Sequence, residues 1–360
     1  MLPLLKFILK RLLSGLLVII GVVVFIFLLF NVLPVNSASM TLGQRTDAAS
    51  VKAIERELRL NLPWYSRLMY YFNDISPVSV HRLSDDSDPT WIAPSQTKYA
   101  KLFTIGERTF VLKQPYLGRS FQSRRKVSEI LAENFPPTAV LALCAIILAS
   151  VVGIILGVFA ALKQYSFWDN TILFISNIGI SQPSFFAAFV IAMVFGYYLG
   201  HITGLSPQGP LIWVDDDGHT VYVWRNLILP VIALGIRPIA IIAQLTRSSM
   251  LDVLSMDYVR TARSKGLGYY TVIFKHALRN ALNPVITSIS GWLAALFTGA
   301  YFIEEVFNYN GLGSETISAI RNFDFPVVIG LSLFVAVIFV VMNIATDMLY
   351  ALVDPRVRVQ

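Results

Sequence analysis

Charge is scarce in this sequence. Only 14% of its residues are charged and 55% are hydrophobic, whereas soluble domains carry roughly a quarter charged residues. That imbalance excludes an ordinary soluble globular protein. Cysteine is nearly absent too. The one cysteine, Cys144, permits no internal disulfide, so any region outside a membrane folds without one; within its apolar run it reads as a small packing residue. Histidine is sparse: His81, His201, His219 and His276 are scattered, and no H-E-x-x-H joins them. Neither G-x-S-x-G nor G-x-x-x-x-G-K-[ST] occurs. The chain therefore has no nucleophile elbow and no Walker motif of its own. Gly311-Leu312-Gly313 is the nearest glycine-rich stretch, and it reads as a turn.

What is abundant is long apolar runs. A helix spanning a bilayer needs about 20 mainly apolar residues. Residues 12–34, 135–162, 170–200, 281–303 and 326–346 qualify, and 226–246 does so with Arg237 as its one interruption. The run 170–200 reads as one long helix bent at Gln182-Pro183. The expectation is an all-α integral membrane protein of six spans. The first run far exceeds the 7–15 residues of a signal-peptide core, so 1–34 is expected to be a retained anchor, despite the small residues Ser37-Ala38-Ser39.

The net charge of +7 is explained by topology and does not call for nucleic acid. Lys6, Lys10 and Arg11 precede the first span, Lys163 lies between the second and third, and Arg356 and Arg358 end the chain. Arg247, Arg260, Arg263, Lys265, Lys275 and Arg279 fill the loop between the fourth and fifth. The alternate loops are acidic, with Asp215, Asp216 and Asp217 in one and Glu304, Glu305, Glu315 and Asp324 in the other. Short loops rich in Lys and Arg stay inside, which predicts both termini in the cytoplasm and 35–134 outside.

Within 35–134, a helix is expected over 48–60, capped by Asp47 and stopped by Asn61-Leu62-Pro63. An aromatic helical pattern follows over 65–72, an exposed loop over 76–96 and a small hairpin over 102–112 around Gly106-Glu107. The remainder, 135–360, is the membrane core. Gly153 with Gly157, and Gly196 with Gly200, form small-xxx-small faces for close helix packing.

Two features stand out in that core. Arg237 lies near the middle of a span and is followed by Pro238; intramembrane charge is costly and marks either a transport pathway or a paired packing contact. A pathway Arg237 would meet a substrate carboxylate, and Pro238 would free backbone carbonyls beside it. The second feature is the loop between spans four and five. Ser255 is a candidate N-cap, Asp257 lies in the first turn, Lys265 in the last, and Gly266 follows at C′, giving a helix over 256–265. Tyr258 and Ala262 share a face, with Arg260 and Arg263 beside it, and a second helical run over 269–281 re-enters the membrane. Such a helix either plugs a groove in a partner or lies on anionic lipid.

The string Asp257-Tyr258-Val259-Arg260-Thr261-Ala262-Arg263-Ser264-Lys265-Gly266-Leu267, followed by His276-Ala277-Leu278-Arg279-Asn280-Ala281, resembles the coupling loop of ABC importer permeases of the dipeptide/oligopeptide branch. Thr246-Arg247-Ser248-Ser249-Met250-Leu251, Gly311-Leu312-Gly313, the closing Asp354-Pro355-Arg356-Val357-Arg358, Lys10-Arg11-Leu12-Leu13 and Leu117-Gly118-Arg119-Ser120-Phe121 extend the resemblance over most of the chain. It implies the type I importer permease fold, with a coupling loop at 247–280. The ATPase-coupling residues would be Asp257, Tyr258, Arg260, Thr261, Ala262, Arg263, Lys265, Gly266 and Leu267. The implied partners are a second homologous permease, two ABC ATPase subunits, an external solute-binding protein and membrane lipid. ATP and magnesium would be used by the ATPases, with no cofactor on this chain. The implied activity is import of di- or oligopeptides across the inner membrane by alternating access; nickel or another small solute is the alternative cargo. Two departures stand out: the stretch 77–115 looks longer than the usual external loop, and Arg237 replaces an expected uncharged residue. A secondary transporter would be expected to show inverted repeats and membrane-embedded acids, whereas the one acid read with a span is Asp347, at its cytoplasmic end.

Overall fold

The computed structural model describes residues 2–32, 59, 62–83, 88, 90–91 and 97–353. Of the helix expected over 48–60 only Arg59 is among these residues, and the closing 354–358 motif lies outside them. The chain divides into two units, one formed by 1–16, 134–317 and 337–360, the other by 17–133 and 318–336. Several helices run from one unit into the other.

Helix α1, Leu2–Val32, carries no charge after Arg11 and no proline after Pro3, so nothing interrupts it. In the second unit it is followed by α2, Trp64–Ile75, and a three-stranded antiparallel sheet in the order β1-β3-β2. The strands are β1 Val78–His81, β2 Tyr99–Ile105 and β3 Arg108–Lys113. The expected hairpin is present as β2 and β3, turning at Gly106 with φ +62°, where an L side chain would be strained. Phe103 pairs across it with Phe110, their rings stacked at 4.5 Å. Strand β1 adds a third member within the stretch expected to be loop. The mean composition of 76–96 hid it, because the strand is only Val78-Ser79-Val80-His81.

The same unit holds helix α9, Leu312–Arg321, in part, and the start of α10, Phe325–Val353. Asp324 is buried. It accepts the Ser120 hydroxyl and the backbone N–H groups of Phe121 at 2.9 Å and Gln122 at 3.4 Å. The Leu117-Gly118-Arg119-Ser120-Phe121 motif is therefore a clasp on the start of α10.

The first unit is the helical bundle. It contains most of α3, Val127–Leu162, α4, Phe167–Ser181, and α5, Ser184–Ile191, which continues as a π-helix over Ala192–Tyr198. A short hairpin, β4 Ile212–Val214 and β5 Thr220–Tyr222, turns through Asp215, Asp216 and Asp217. Then come α6, Arg225–Leu254, α7, Asp257–Ser264, a π-helix over Thr271–Leu278 and α8, Arg279–Val306.

Among the described residues, five helices are long and apolar enough to cross a membrane, and six spans result if the broken pair α4–α5 is one span. That pair turns through 111° at Gln182-Pro183, a full break where a bend was expected. Pro183 has no N–H to give a continuing helix, and the next helix restarts behind it. Outward faces are apolar, with Leu13, Ile147, Val151, Ile155, Phe174 and Ile175 exposed, as helices against lipid require.

The bundle packs through small residues, because apolar contact alone gives little preference over lipid. Gly153 abuts Ile242, and a Cβ on Gly157 would lie 2.5 Å from the Ala243 carbonyl oxygen. This glycine face is thus a seat for α6. Leu141, Ala145, Leu229, Leu234, Phe297 and Tyr309 form the main core.

Candidate functional site

The loop between the fourth and fifth spans is shorter than its sequence suggests, because α6 continues to Leu254. Arg247 belongs to that helix and not to the loop. Its guanidinium grips Asp169 with Nε at 2.5 Å and Nη2 at 2.7 Å. Asp169 lies in the first turn of α4 and is fully buried. It also accepts the Tyr165 N–H at 2.9 Å, while the Ser166 hydroxyl caps the Asp169 N–H. A bidentate arginine–carboxylate pair of this kind fixes orientation as well as charge, so the base of α6 is locked to the start of α4.

The expected Ser255 cap does not form. Ser255 closes α6, its hydroxyl donating to the Asp252 carbonyl at 2.7 Å. Met256, in extended conformation, is the residue that precedes α7, and it has no capping side chain. The chain turns from one helix into the next within two residues, which leaves no room for Ser255 to serve both.

Helix α7 buries Val259 and Ala262 against Val272 of the following π-helix. The expected Tyr258–Ala262 face is thereby divided: Ala262 points inward, and Tyr258 is 41% exposed, its hydroxyl accepting from Asn280 Nδ2 at 2.8 Å. Asp257, Arg260, Thr261, Arg263, Lys265, Gly266 and Leu267 are all exposed. The helix ends in a Schellman turn. Gly266 has φ +75°; its N–H reaches the Arg263 carbonyl at 2.9 Å, and the Leu267 N–H reaches the Ala262 carbonyl at 3.4 Å. The result is a rigid, basic knuckle anchored by its own apolar face, with Tyr269, Tyr270 and Phe274 exposed beyond it.

Arg237 stands apart from this loop, near the centre of α6. It is exposed on the surface of the chain, with no hydrogen bond or ion pair among the described residues. Its neighbour Pro238 is buried and leaves the Leu234 carbonyl without a helical N–H partner. Two turns on, Gln244 Nε2 donates to Asn177 Oδ1 of α4 at 2.9 Å. An arginine at the middle of a membrane helix costs about 2.5–3.5 kcal/mol on insertion scales.

On the opposite side of the bundle is a cluster the sequence disguised. Glu304, expected in an acidic external loop, is fully buried just past the fifth span. Its carboxylate accepts the Thr138 hydroxyl at 2.6 Å and the N–H groups of Gly313 at 2.7 Å and Ser314 at 3.1 Å. Thr138 in turn accepts the Leu312 N–H at 2.8 Å. Burial pushes the Glu304 carboxyl up to about 7, against the pull of those three donors. The Gly311-Leu312-Gly313 motif is explained by this close approach: a Cβ on Gly311 would lie 2.5 Å from the Glu304 carboxylate, and one on Gly313 2.3 Å from the Tyr301 backbone. The only sequence signal was the pairing of a glutamate with a glycine-flanked helix start, a natural anion seat.

Comparison with known proteins follows the same outline. Residues 153–359 match the profile of the binding-protein-dependent transport system inner membrane component family, and residues 4–88 match its N-terminal component. A dipeptide transport system permease, DppB, of Alkalihalophilus pseudofirmus is 32% identical over 368 residues, covering 98% of this chain and 99% of its own. DppB of Escherichia coli is 40% identical over 260 residues, covering 67% of this chain and 76% of its own. Among solved structures, an inward-facing methionine ABC transporter overlays 63% of this chain and 97% of its own, with a TM-score of 0.47 at 15% identity.

Proposed function

Since this chain belongs to the family of binding-protein-dependent transport system inner membrane components, we propose that it is one of two permease subunits in an ATP-driven importer of di- or oligopeptides. The cargo rests on the relatives, which are named as dipeptide and di/tripeptide permeases. The observation that carries the mechanism is the form of α7. Its inward face is consumed by Val259 and Ala262, so Arg260, Thr261, Arg263 and Lys265 remain as a preformed outer face.

In this reading that outer face seats in a groove of an ABC ATPase subunit on the cytoplasmic side. ATP and magnesium are bound by the ATPase pair, and closure of the pair on ATP pushes α7. A helix cannot relay a push if its ends yield. Here the Schellman turn stiffens one end, and the direct junction with α6 holds the other. The push passes into α6, and through Arg247–Asp169 into α4, as rigid-body rotation of packed helices. Alternating access follows when the two permeases rotate against each other, with an external solute-binding protein delivering cargo. The Arg11–Asp347 ion pair, 2.9 Å, sets the start of α1 beside the end of α10, in keeping with both termini on the cytoplasmic side.

The test is reconstitution. Purified in mild detergent, the chain should co-elute with a second permease and two ATPases. In proteoliposomes, ATP hydrolysis should rise when the binding protein and a tripeptide are added together. A chain that elutes alone, or hydrolysis indifferent to peptide, overturns the proposal.

A further inference from the structure

Arg237 is the one charge at mid-depth of a described span, and none of the described residues neutralises it. The acids of the described spanning helices sit toward helix ends. Asp169 is held by Arg247 and Asp347 by Arg11, and Glu304 is enclosed at the far side. A second copy of this chain would therefore offer Arg237 no carboxylate at its own depth. Lipid offers none either, and a side chain at the middle of a thirty-residue helix cannot readily reach the headgroups.

Arg237 is flanked on its own helix by Ala233, Leu234, Ala240 and Ile241, and the first polar side chains along its face lie two turns on. Gln244 lies seven positions on, hence on the same face of α6, and is bonded to Asn177 of α4. The helices run antiparallel here, Gly179 lying against Ile236 and Ala240. That track brings the break at Gln182-Pro183 toward the level of Arg237. An open, mostly apolar cavity of about 280 Å³ lies against α4 and its break, lined by Phe174, Asn177, Ile178, Ser181 and Gln182.

We infer that Arg237, together with Asn177, Ser181, Gln182 and Gln244, forms a mid-membrane subsite that takes the C-terminal carboxylate of a peptide in transit. The inference rests on the peptide-permease reading above and deepens it. A guanidinium matches a carboxylate in two parallel hydrogen bonds, and a low-dielectric setting strengthens that pairing. The side-chain amides around it both donate and accept, so they suit a peptide backbone of any sequence. Every peptide has the terminal carboxylate, whatever its side chains. One fixed cation with neutral amides therefore recognises the class and leaves side-chain choice open.

The test uses the complete importer in proteoliposomes with its binding protein, and tri-alanine as cargo. Cys144 is the chain's single cysteine, so an Arg237→Cys variant in a Cys144→Ala background has one reactive position on this subunit. An Arg237→Ser variant controls for thiols on the partners. Uptake should fall about tenfold or more with Arg237→Cys, the range for losing a charge-assisted bond. Aminoethyl methanethiosulfonate, which restores a cation, should recover several-fold, and the sulfonatoethyl reagent should not. Excess tri-alanine should slow the modification. A thiol that does not react, equal recovery by both reagents, or unimpaired uptake overturns the inference. So does loss of the second permease on purification of Arg237→Cys, which assigns the residue to subunit packing. If the unmodified importer takes up another solute but no peptide, the proposed cargo fails and the inference with it.

Discussion

Asp169 and Arg247 are joined by two short, parallel hydrogen bonds across the start of one membrane helix and the end of another. Asp169 has 1% of its side chain exposed and Arg247 18%, so the carboxylate cannot fall back on water. Removing one partner of such a pair leaves the other charge buried, a loss of about 3–5 kcal/mol. Arg247→Ala is therefore expected to lower the melting temperature of the detergent-solubilised complex by several degrees. Asp169→Asn/Arg247→Ala should melt no lower than Arg247→Ala alone. Under the proposed mechanism, both variants also weaken the coupling of ATP hydrolysis to uptake. A double variant that loses the sum of the losses of Asp169→Asn alone and Arg247→Ala alone would show that the residues act independently.

Gly266 tests the end of the docking helix. Its φ of +75° is costly for an L-residue, about 1–2 kcal/mol, yet nothing lies within 4 Å of an added Cβ. The penalty is purely conformational. Gly266→Val should reduce coupled transport severalfold, while Gly266→Asn, which tolerates the left-handed region, should stay near the parent. The check is the ratio of peptide imported to ATP hydrolysed. Equal ratios for all three proteins would remove the turn from the coupling mechanism.

Glu304 makes a pH prediction. Its carboxyl, ordinarily near 4.5, sits at about 7 in the fold because burial disfavours the charge. The unfolded chain therefore ionises first. The stability this group contributes is fully present below about pH 4.5 and is lost as pH rises through 7, a change of about 3 kcal/mol. Glu304→Gln keeps the shape and removes the titration. Melting curves from pH 5 to 8 should show the parent losing stability relative to Glu304→Gln as pH rises. Parallel curves would mean the carboxylate is held as an anion by Gly313 and Ser314 throughout.

Asp324 anchors the Leu117–Phe121 motif. Asp324→Ala leaves the Phe121 and Gln122 N–H groups without their acceptor, at a cost of about 1–3 kcal/mol. Ser120→Ala should cost less, because the carboxylate keeps both backbone donors. Limited proteolysis between residues 113 and 127 should cut Asp324→Ala faster than Ser120→Ala, and Ser120→Ala close to the parent rate.

The sequence by itself determined the class of this protein, its spans and its kinship. Twenty-residue apolar runs have no stable place except a membrane. The helix-stop at Gly266 is a local matter of one residue's backbone freedom, so it was legible too. What the tertiary structure decided is where the charges go. Arg247 read as a loop cation and Glu304 and Asp324 as loop acids, because topology rules count charge without knowing depth. The fold buries Glu304 and Asp324 and half-buries Arg247, each against a partner distant in the sequence: Asp169 for Arg247, Thr138 for Glu304, Ser120 for Asp324. Ser255 and Tyr258 show the same limit at short range. Local pattern offered a cap at Ser255 and one face shared by Tyr258 and Ala262, but the direct turn from α6 put Met256 before α7, and packing on Val272 turned Ala262 inward with Val259 and left Tyr258 outside. Arg237 is the reverse case: its sequence context marked it as unusual, and only the bundle showed that none of the described residues pairs with it. Side-chain pairing over tens or hundreds of residues is set by how helices pack, and that information is not carried in any local stretch.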